Sequence, residues 1–146
     1  MNYKMIRHTI GLILMFEAGF MVLPMITAIF TGEWRELLMF AISAAICLAA
    51  GKLLSWKKPT DTTLYAKEGF VIVAESWILM SFIGALPFVI SKDIPHFVDA
   101  LFESVSGFTT TGASIFSDVE SLPRSIIIWR SFTHWIGGMG VLVLLV

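Results

Sequence analysis

The sequence has few charged residues and almost no cysteine. Only 14% of its 146 residues are charged, against about 25% in an average soluble domain. The single cysteine, Cys47, lies in an apolar run, which excludes a disulfide framework within the chain and a CxxC metal site. The net charge of −1 indicates neither an acidic nor a basic partner, because the charges are sorted into loops. This composition argues against a soluble globular domain, a disordered tail and a nucleic-acid-binding protein.

Long apolar runs take the place of the missing charges. The residues are 57% hydrophobic, and the mean hydropathy is +0.84. A membrane helix needs about 20 apolar residues, so the chain has room for three or four spans and short loops. Complete runs occur at 10–30, 37–56 and 70–90, and a further run begins near 125. The first run is too long for the apolar part of a signal peptide, so it predicts a retained helix.

Two features within these runs predict contacts between helices. Ala41, Ala45 and Ala49 recur every four residues and predict a face on which another helix packs closely. Glu17 and Glu75 lie inside apolar runs, where an acid is a functional candidate by default. For both acids, a contact with the interface or with a partner helix is the favoured interpretation.

Basic residues are distributed unequally between the two ends of the runs. Six lie on one side, namely Lys4, Arg7, Lys52, Lys57, Lys58 and Lys67, and two on the other, Arg35 and Lys92. Cytoplasmic loops of membrane proteins carry an excess of Lys and Arg. The N-terminus and the loop at 57–69 are therefore predicted to lie in the cytoplasm.

A short amphipathic segment at 96–108 is followed by small polar residues. A helix of this length reaches about 18 Å, which is too short to cross a hydrocarbon core of about 30 Å. One interpretation is a loop within the membrane whose backbone carbonyls replace the water around a cation such as K⁺, with Gly112 allowing the required backbone angles. The other is an ordinary polar turn outside the membrane, since Thr-rich turns are common.

The polar residues around this segment also have two interpretations each. Glu103 could attract cations or bond backbone groups of the loop, and structural support is favoured. Arg130 is predicted to pair with an acid near the loop, and Arg124 to lie at the interface. His134 is interpreted as a packed polar residue, because no second metal ligand is spaced near it. No Ser/His/Asp arrangement with a recognisable elbow occurs, so catalysis has no support.

Several motifs run through the chain together. They are KEGF at 67–70, GALPF at 84–88, FESVSGFTTTGA at 102–113, SLPR at 121–124, WR at 129–130 and WIGGMG at 135–140. This combination resembles the Trk/Ktr/HKT potassium-transport superfamily, and TrkH-type subunits in particular. The resemblance covers essentially the whole chain.

The resemblance implies an all-α membrane protein built from four membrane–pore-loop–membrane repeats. Residues 1–56 would be two leading transmembrane helices, and 57–69 the cytoplasmic loop. Residues 70–146 would be the first repeat, with its outer helix at 70–90, a re-entrant pore helix at 96–108, a filter at 109–113 and an inner helix from 125. The run at 139–146 has no polar residue after it, so the inner helix is expected to be truncated and the sequence to be the front portion of a longer protein.

The resemblance also implies potassium uptake across the bacterial cell inner membrane by a pore-forming subunit, either as a symporter or in a channel-like way. K⁺ would be the transported ligand, with no organic cofactor. The backbone carbonyls of Thr110 and Thr111 would coordinate K⁺, with Gly112 as the hinge of the filter and with Thr109 and Ala113 as weaker candidates at its ends. The sequence lacks the second glycine and the tyrosine of the T-V-G-Y-G filter, which implies a less rigid filter.

The implied partners are the lipid bilayer, the three remaining repeats, a second copy in a homodimer and a cytoplasmic nucleotide-binding regulatory subunit, but no nucleic acid. An alternative from another class is a non-conducting, truncated membrane interaction protein. The reading frame beyond Val146 distinguishes the two, because three more Thr/Gly pore loops support transport and a stop supports the truncated protein.

Overall fold

The computed structural model describes residues 2–59, 63 and 65–145, and all regular elements within these ranges are helices. The helices are α1 (Tyr3–Phe20), α2 (Val22–Thr31), α3 (Trp34–Ser55), α4 (Ala66–Gly84), α5 (Leu86–Ile90), α6 (Phe97–Phe108) and α7 (Arg124–Leu145). The predicted all-α class is confirmed. Residues 60–62 and 64 of the predicted cytoplasmic loop lie outside the described residues.

Three stretches are long and apolar enough to cross a membrane, namely Tyr3–Thr31, Trp34–Ser55 and Ala66–Ile90. They correspond to the three predicted spans. The first helix begins at Tyr3 rather than at residue 10, because Lys4 and Arg7 extend it toward the interface, where long basic side chains reach water.

Two of the spans are interrupted near a proline. Met21 separates α1 from α2, and Ala85 separates α4 from α5. Pro24 lies in the first turn of α2 and Pro87 in the first turn of α5. Proline is tolerated there because the first turn of a helix has no intrahelical partner for its N–H groups.

A close approach between helices joins α1 and α3 at two glycines. A Cβ on Gly11 would lie 2.6 Å from the carbonyl oxygen of Gly51, and a Cβ on Gly51 would lie 2.8 Å from that of Gly11. Neither position accepts a larger side chain without moving a backbone. The two leading spans are therefore in direct backbone contact.

The predicted alanine face of the second span makes no close helix contact within the described residues. Ala45 and Ala49 are exposed, and the face that packs carries Ser43, Cys47 and Gly51. A glycine lets two backbones approach more closely than an alanine does, so the face with Gly51 forms the contact.

Large apolar side chains from several elements form a core around Trp129 of α7. Trp129 is fully buried, contacts Phe40 of α3 edge-on with ring centroids 6.1 Å apart, and donates from Nε1 to the carbonyl oxygen of Gly84 at 3.0 Å. Phe88 and Met21 belong to the same cluster. The leading helices and α7 therefore share one core.

Glu33, in the turn between α2 and α3, accepts hydrogen bonds from the start of α7. Its Oε1 accepts from Arg124 N at 2.8 Å, and its Oε2 accepts from Ser125 N at 3.0 Å and from Ser125 Oγ at 2.5 Å. Partial burial raises the pKa of Glu33, but the hydrogen bonds from Ser125 and Arg124 outweigh it and hold the pKa below its ordinary value. A carboxylate at a helix N-terminus is favourable because it satisfies free N–H groups and faces the positive end of the helix dipole.

Candidate functional site

The candidate site follows α6, which is one residue shorter than the predicted pore helix because His96 lies outside it as the N-cap. Its 12 residues span about 18 Å at 1.5 Å per residue. Gly107 and Phe108 end the helix, with Phe108 packed between α4 and α7, and the chain then turns through Thr109–Gly112.

The backbone after α6 adopts two left-handed conformations in three residues. Thr110 has φ 58° and Gly112 has φ 77°. Thr110 N donates to Gly107 O at 2.9 Å, and Thr111 N donates to Ser106 O at 2.9 Å. A positive φ is uncommon for threonine, and such residues concentrate at functional sites. Gly112 therefore adopts a left-handed conformation, which its lack of a side chain allows.

The carbonyl groups of this loop fall into two sets. Thr109 O accepts from Thr110 Oγ1 at 2.7 Å, and Ala113 O accepts from Ser106 Oγ at 2.6 Å. Within the described residues, no hydrogen-bond donor reaches the carbonyl oxygens of Thr110, Thr111 or Gly112. The central three carbonyls are therefore free to accept, and the two end carbonyls are engaged within the protein.

Glu103 connects the loop to α7. Its side chain is 1% exposed, and it accepts from Ser114 Oγ and from Ile115 N at 3.1 Å. Arg130 of α7 donates from Nε to Glu103 Oε1 and forms an ion pair with it. The predicted pairing of Arg130 with an acid near the loop is confirmed. Glu103 bonds backbone immediately after the predicted filter.

Glycines bring α7 against the C-terminal end of α6. A Cβ on Gly137 would collide with the backbone of Phe108, and a Cβ on Gly107 would collide with the side chain of Thr133. By contrast, a Cβ on Gly138 would stand 3.8 Å from Thr110 Cγ2, which is ordinary van der Waals contact. The position of the loop therefore depends on the absence of a side chain at position 137, where glycine allows Phe108 to approach.

His134 is half-buried in α7, where its Nδ1 lies 2.8 Å from Arg130 O. No group of three or more His, Cys, Asp or Glu residues that could hold a metal ion occurs among the described residues. The half-burial of His134 and its contact with Arg130 O agree with the predicted packed polar residue.

Behind α6 lies a buried acid from α1. Glu17 is 1% exposed, and Cys47 Sγ donates to its Oε2 at 3.8 Å. Glu17 Oε1 and Ser104 Oγ have no hydrogen-bond partner among the described residues. Both atoms lie within 3.3 Å of the place where a Cβ on Gly84 would stand. Glu17 thus contacts partner helices, as the sequence predicts, whereas Glu75 is exposed.

The segment after the loop is largely exposed. Asp118 and Glu120 are exposed, and Asp118 Oδ1 accepts from Glu120 N at 3.1 Å. Arg124 is also exposed, at the start of α7. Sequence reasoning missed the roles of Glu33 and Ser106. The acid–helix contact of Glu33 spans 91 residues in the chain, and the bond of Ser106 depends on the path of the loop.

Comparisons with known proteins agree with the motifs. The family model TrkH, described as cation transport protein, matches residues 37–146. The Trk system potassium uptake protein TrkG of Escherichia coli (strain K12) is 40% identical over 148 residues, covering 99% of this chain and 30% of that protein. TrkH of Salmonella typhimurium is 37% identical over 151 residues, covering 100% of this chain and 30% of that protein.

A solved structure is also similar. The crystal structure of the potassium transporter TrkH from Vibrio parahaemolyticus aligns with a TM-score of 0.89 at 32% identity, covering 99% of this chain and 31% of that one. The chain thus spans about 30% of the length of the relatives that it matches. All three relatives are described by transport or uptake, and none as an enzyme.

Proposed function

The chain belongs to the TrkH family of cation transport proteins, and from this premise we propose that it forms part of a subunit that takes up potassium ions. The relatives named for potassium uptake support K⁺ as the transported ion. Three helices long and apolar enough to span a membrane support a multi-pass membrane protein. One filter strand lies in this chain, and three further repeats outside it would complete a ring of four.

One observation carries the assignment of the filter. The carbonyl oxygens of Thr110, Thr111 and Gly112 have no donor among the described residues, while the carbonyls on either side of them are hydrogen-bonded. A dehydrated K⁺ needs oxygen ligands in place of its water shell, and rings of backbone carbonyls supply them. Each repeat would contribute one such strand.

Glu103 supports the filter rather than binding the ion. Its carboxylate accepts hydrogen bonds from Ser114, Ile115 and Arg130, and Arg130 neutralises its charge. Thr109 and Ala113 hold the two ends of the loop through their engaged carbonyls. The threonine carbonyls between them thus keep a fixed position while the ion exchanges water for protein oxygen.

Location and assembly follow from the charge distribution and the family. We propose a bacterial cell inner membrane protein with its N-terminus in the cytoplasm, because the basic residues concentrate on that side. A homodimer and a cytoplasmic nucleotide-binding regulatory subunit are the assembly that the resemblance supports.

The substitution Gly112→Ser in the full-length protein tests the filter. A side chain at φ 77° strains the backbone beside the three free carbonyls, so K⁺ uptake or the preference for K⁺ over Na⁺ should fall. Uptake is measured in a strain deficient in potassium uptake. If uptake and preference both stay unchanged, the filter assignment is wrong.

Gly32→Ser is the matched control. Gly32 ends α2 with φ 74°, and a Cβ on either Gly32 or Gly112 meets no atom within 4 Å. The two variants carry the same backbone penalty, but only one lies in the filter. Gly32→Ser should therefore retain the ion preference, and an equal loss in both variants would point to strain alone.

A further inference from the structure

Three basic residues surround one cavity at the N-terminal end of α1. The cavity has a volume of about 230 Å³ and is lined by Tyr3, Lys4, Arg7 and Lys57. No acid lines it, and none of these three cations forms an ion pair in the described part of the chain. Three positive charges around one cavity favour the binding of an anion there.

An apolar groove continues from this cavity between α1 and α4. It has a volume of about 270 Å³ and shares Tyr3 and Arg7 with the first cavity. Its remaining lining is Ile6, Ile10, Leu54, Val71, Glu75 and Leu79. The N-terminal ends of α1 and α4 meet, because Asn2 N donates to Glu68 Oε1 at 3.3 Å. The groove therefore runs from the polar end of both helices into their apolar part, over about 12 Å for eight residues.

We propose that the two cavities together bind one anionic phospholipid. The phosphate lies among Lys4, Arg7 and Lys57, and an acyl chain lies in the groove. Glu75 lines the groove on the deeper side, so the three cations exceed the acids by two positive charges. Basic pockets between membrane helices bind anionic headgroups by this charge complementarity.

The surroundings of the cavity favour lipid over a protein partner. Trp56 is 80% exposed, and Tyr65 and Phe70 are exposed at the same end of the helices. Exposed aromatic rings form belts at the headgroup level of membranes. Lysine is depleted in protein–protein interfaces, whereas this cavity carries two lysines. The inner leaflet, where the basic residues place this end, is also the one with anionic lipid on its cytoplasmic face.

The test measures lipid binding to the purified full-length protein in a neutral detergent. Phosphatidylglycerol, phosphatidylcholine with the same acyl chains, and inorganic phosphate are titrated separately, and bound lipid is counted by native mass spectrometry. Phosphatidylglycerol should bind at least tenfold more tightly than phosphatidylcholine. The measurement requires no ion transport, so its outcome is independent of the filter assignment.

Lys57→Gln and Lys58→Gln form a matched pair. Both lysines are exposed and adjacent in the chain, but only Lys57 lines the cavity. Because one surface cation contributes about 1 kcal/mol to binding anionic lipid, Lys57→Gln should weaken phosphatidylglycerol binding about fivefold. Lys58→Gln should leave it unchanged. Equal effects of the two substitutions would overturn the proposal.

The proposed position of the acyl chain is tested by filling the groove with a large side chain. Val71→Trp places a large ring in the groove, while Ile78→Trp places the same ring on an exposed position of α4 that does not line it. Only Val71→Trp should weaken phosphatidylglycerol binding. Displacement of the lipid by millimolar inorganic phosphate, or equal affinity for phosphatidylcholine, would show that the site does not bind an anionic phospholipid as a whole.

Discussion

Glu103 holds three parts of the site together with one buried carboxylate. Replacing it by Gln in the full-length protein removes the charge that pairs with Arg130 and leaves that guanidinium without a counter-ion. Breaking a buried ion pair costs about 3 kcal/mol, so the thermal unfolding temperature should fall clearly. Thermal unfolding of the purified protein, followed by near-ultraviolet circular dichroism, measures the effect.

Glu120→Gln is the control for this change, because it makes the same charge change at an exposed acid after the loop. It should change the unfolding free energy by less than about 0.5 kcal/mol. The double variant with Arg130→Gln should lose less than the sum of the two single variants, since the two residues act as a pair. Additive losses would contradict the pairing.

Ser106 and Ser104 offer a second comparison of single residues. Ser106→Ala removes the hydroxyl that donates to Ala113 O at 2.6 Å, so the end of the loop should loosen and stability should fall by about 1 kcal/mol. Ser104→Ala removes a buried hydroxyl that has no partner among the described residues, and it should be neutral or stabilising. K⁺/Na⁺ preference in the uptake assay should change only for Ser106→Ala. A loss of stability for Ser104→Ala but not for Ser106→Ala would show that the loop does not depend on the bond from Ser106 to Ala113.

The sequence allows the charged residues of the site to be predicted better than its hydroxyls. A pairing of Arg130 with an acid near the loop could be predicted, because charges in apolar surroundings require a partner, although the sequence did not identify Glu103 as that acid. Ser106 has many possible acceptors, and which one it reaches depends on the path of the loop. The free carbonyls of Thr110, Thr111 and Gly112 could likewise be assigned only through the motif, because every residue has a carbonyl.

The contact between α6 and α7 depends on Gly137, and the adjacent Gly138 provides a control. Gly137→Ala forces a Cβ into the backbone of Phe108, so α6 must move and the loop with it. The expected result is a marked loss of folded protein and of K⁺ uptake. Folded yield is measured by size-exclusion chromatography in detergent.

Gly138→Ala tests whether the effect belongs to the contact rather than to glycine in a helix. Its Cβ would meet nothing closer than 3.8 Å, and alanine is favoured over glycine in helices by about 1 kcal/mol. This variant should be as stable as the original protein or more so. Equal losses in both variants would show that the contact with Phe108 does not set the helix position.

The bond between Glu33 and the start of α7 predicts a pH dependence. The pKa of Glu33 is lowered in the folded protein, so its contribution to stability is complete above the ordinary value of 4.5 and is lost as the pH falls below it. The unfolding temperature of Glu33→Gln should therefore lie below that of the original protein at pH 7, and the difference should shrink below pH 4.5. Glu120→Gln, the same charge change on an exposed acid, should give no such convergence. A difference that stays constant with pH would contradict the role of Glu33.

Apolar runs reveal which segments are helices but not how the helices pack. The three spans could be predicted because each contains about 20 apolar residues. Small residues at helical spacing, such as Ala41, Ala45 and Ala49, do not by themselves identify the face of α3 that packs against α1. The true contact required two glycines on different helices, Gly11 and Gly51, whose pairing no single helix encodes.

For the whole molecule, the orientation in the membrane can be tested by labelling. Lys58→Cys lies at the end predicted to be cytoplasmic, and Asp118→Cys follows the filter loop on the other side; both positions are exposed. In intact cells, a membrane-impermeant thiol reagent should label only Asp118→Cys, in a full-length protein free of other accessible cysteines. The native Cys47 is buried.

Permeabilised cells provide the control, since both variants should then be labelled. Labelling of Lys58→Cys in intact cells would reverse the orientation that the basic residues predict. The cavity of Lys4, Arg7 and Lys57 would then lie at the level of the outer leaflet.

The bonds that shape the filter loop all join residues that are near in the sequence. Ser106 bonds Ala113, and Glu103 bonds Ser114 and Arg130, so that partners are at most 27 positions apart in the sequence. Local contacts form quickly because little chain entropy is lost in closing them. The loop can therefore take its shape during synthesis, once the first turns of α7 have left the ribosome. The ion pathway would then be assembled last, by the docking of loops that are already folded.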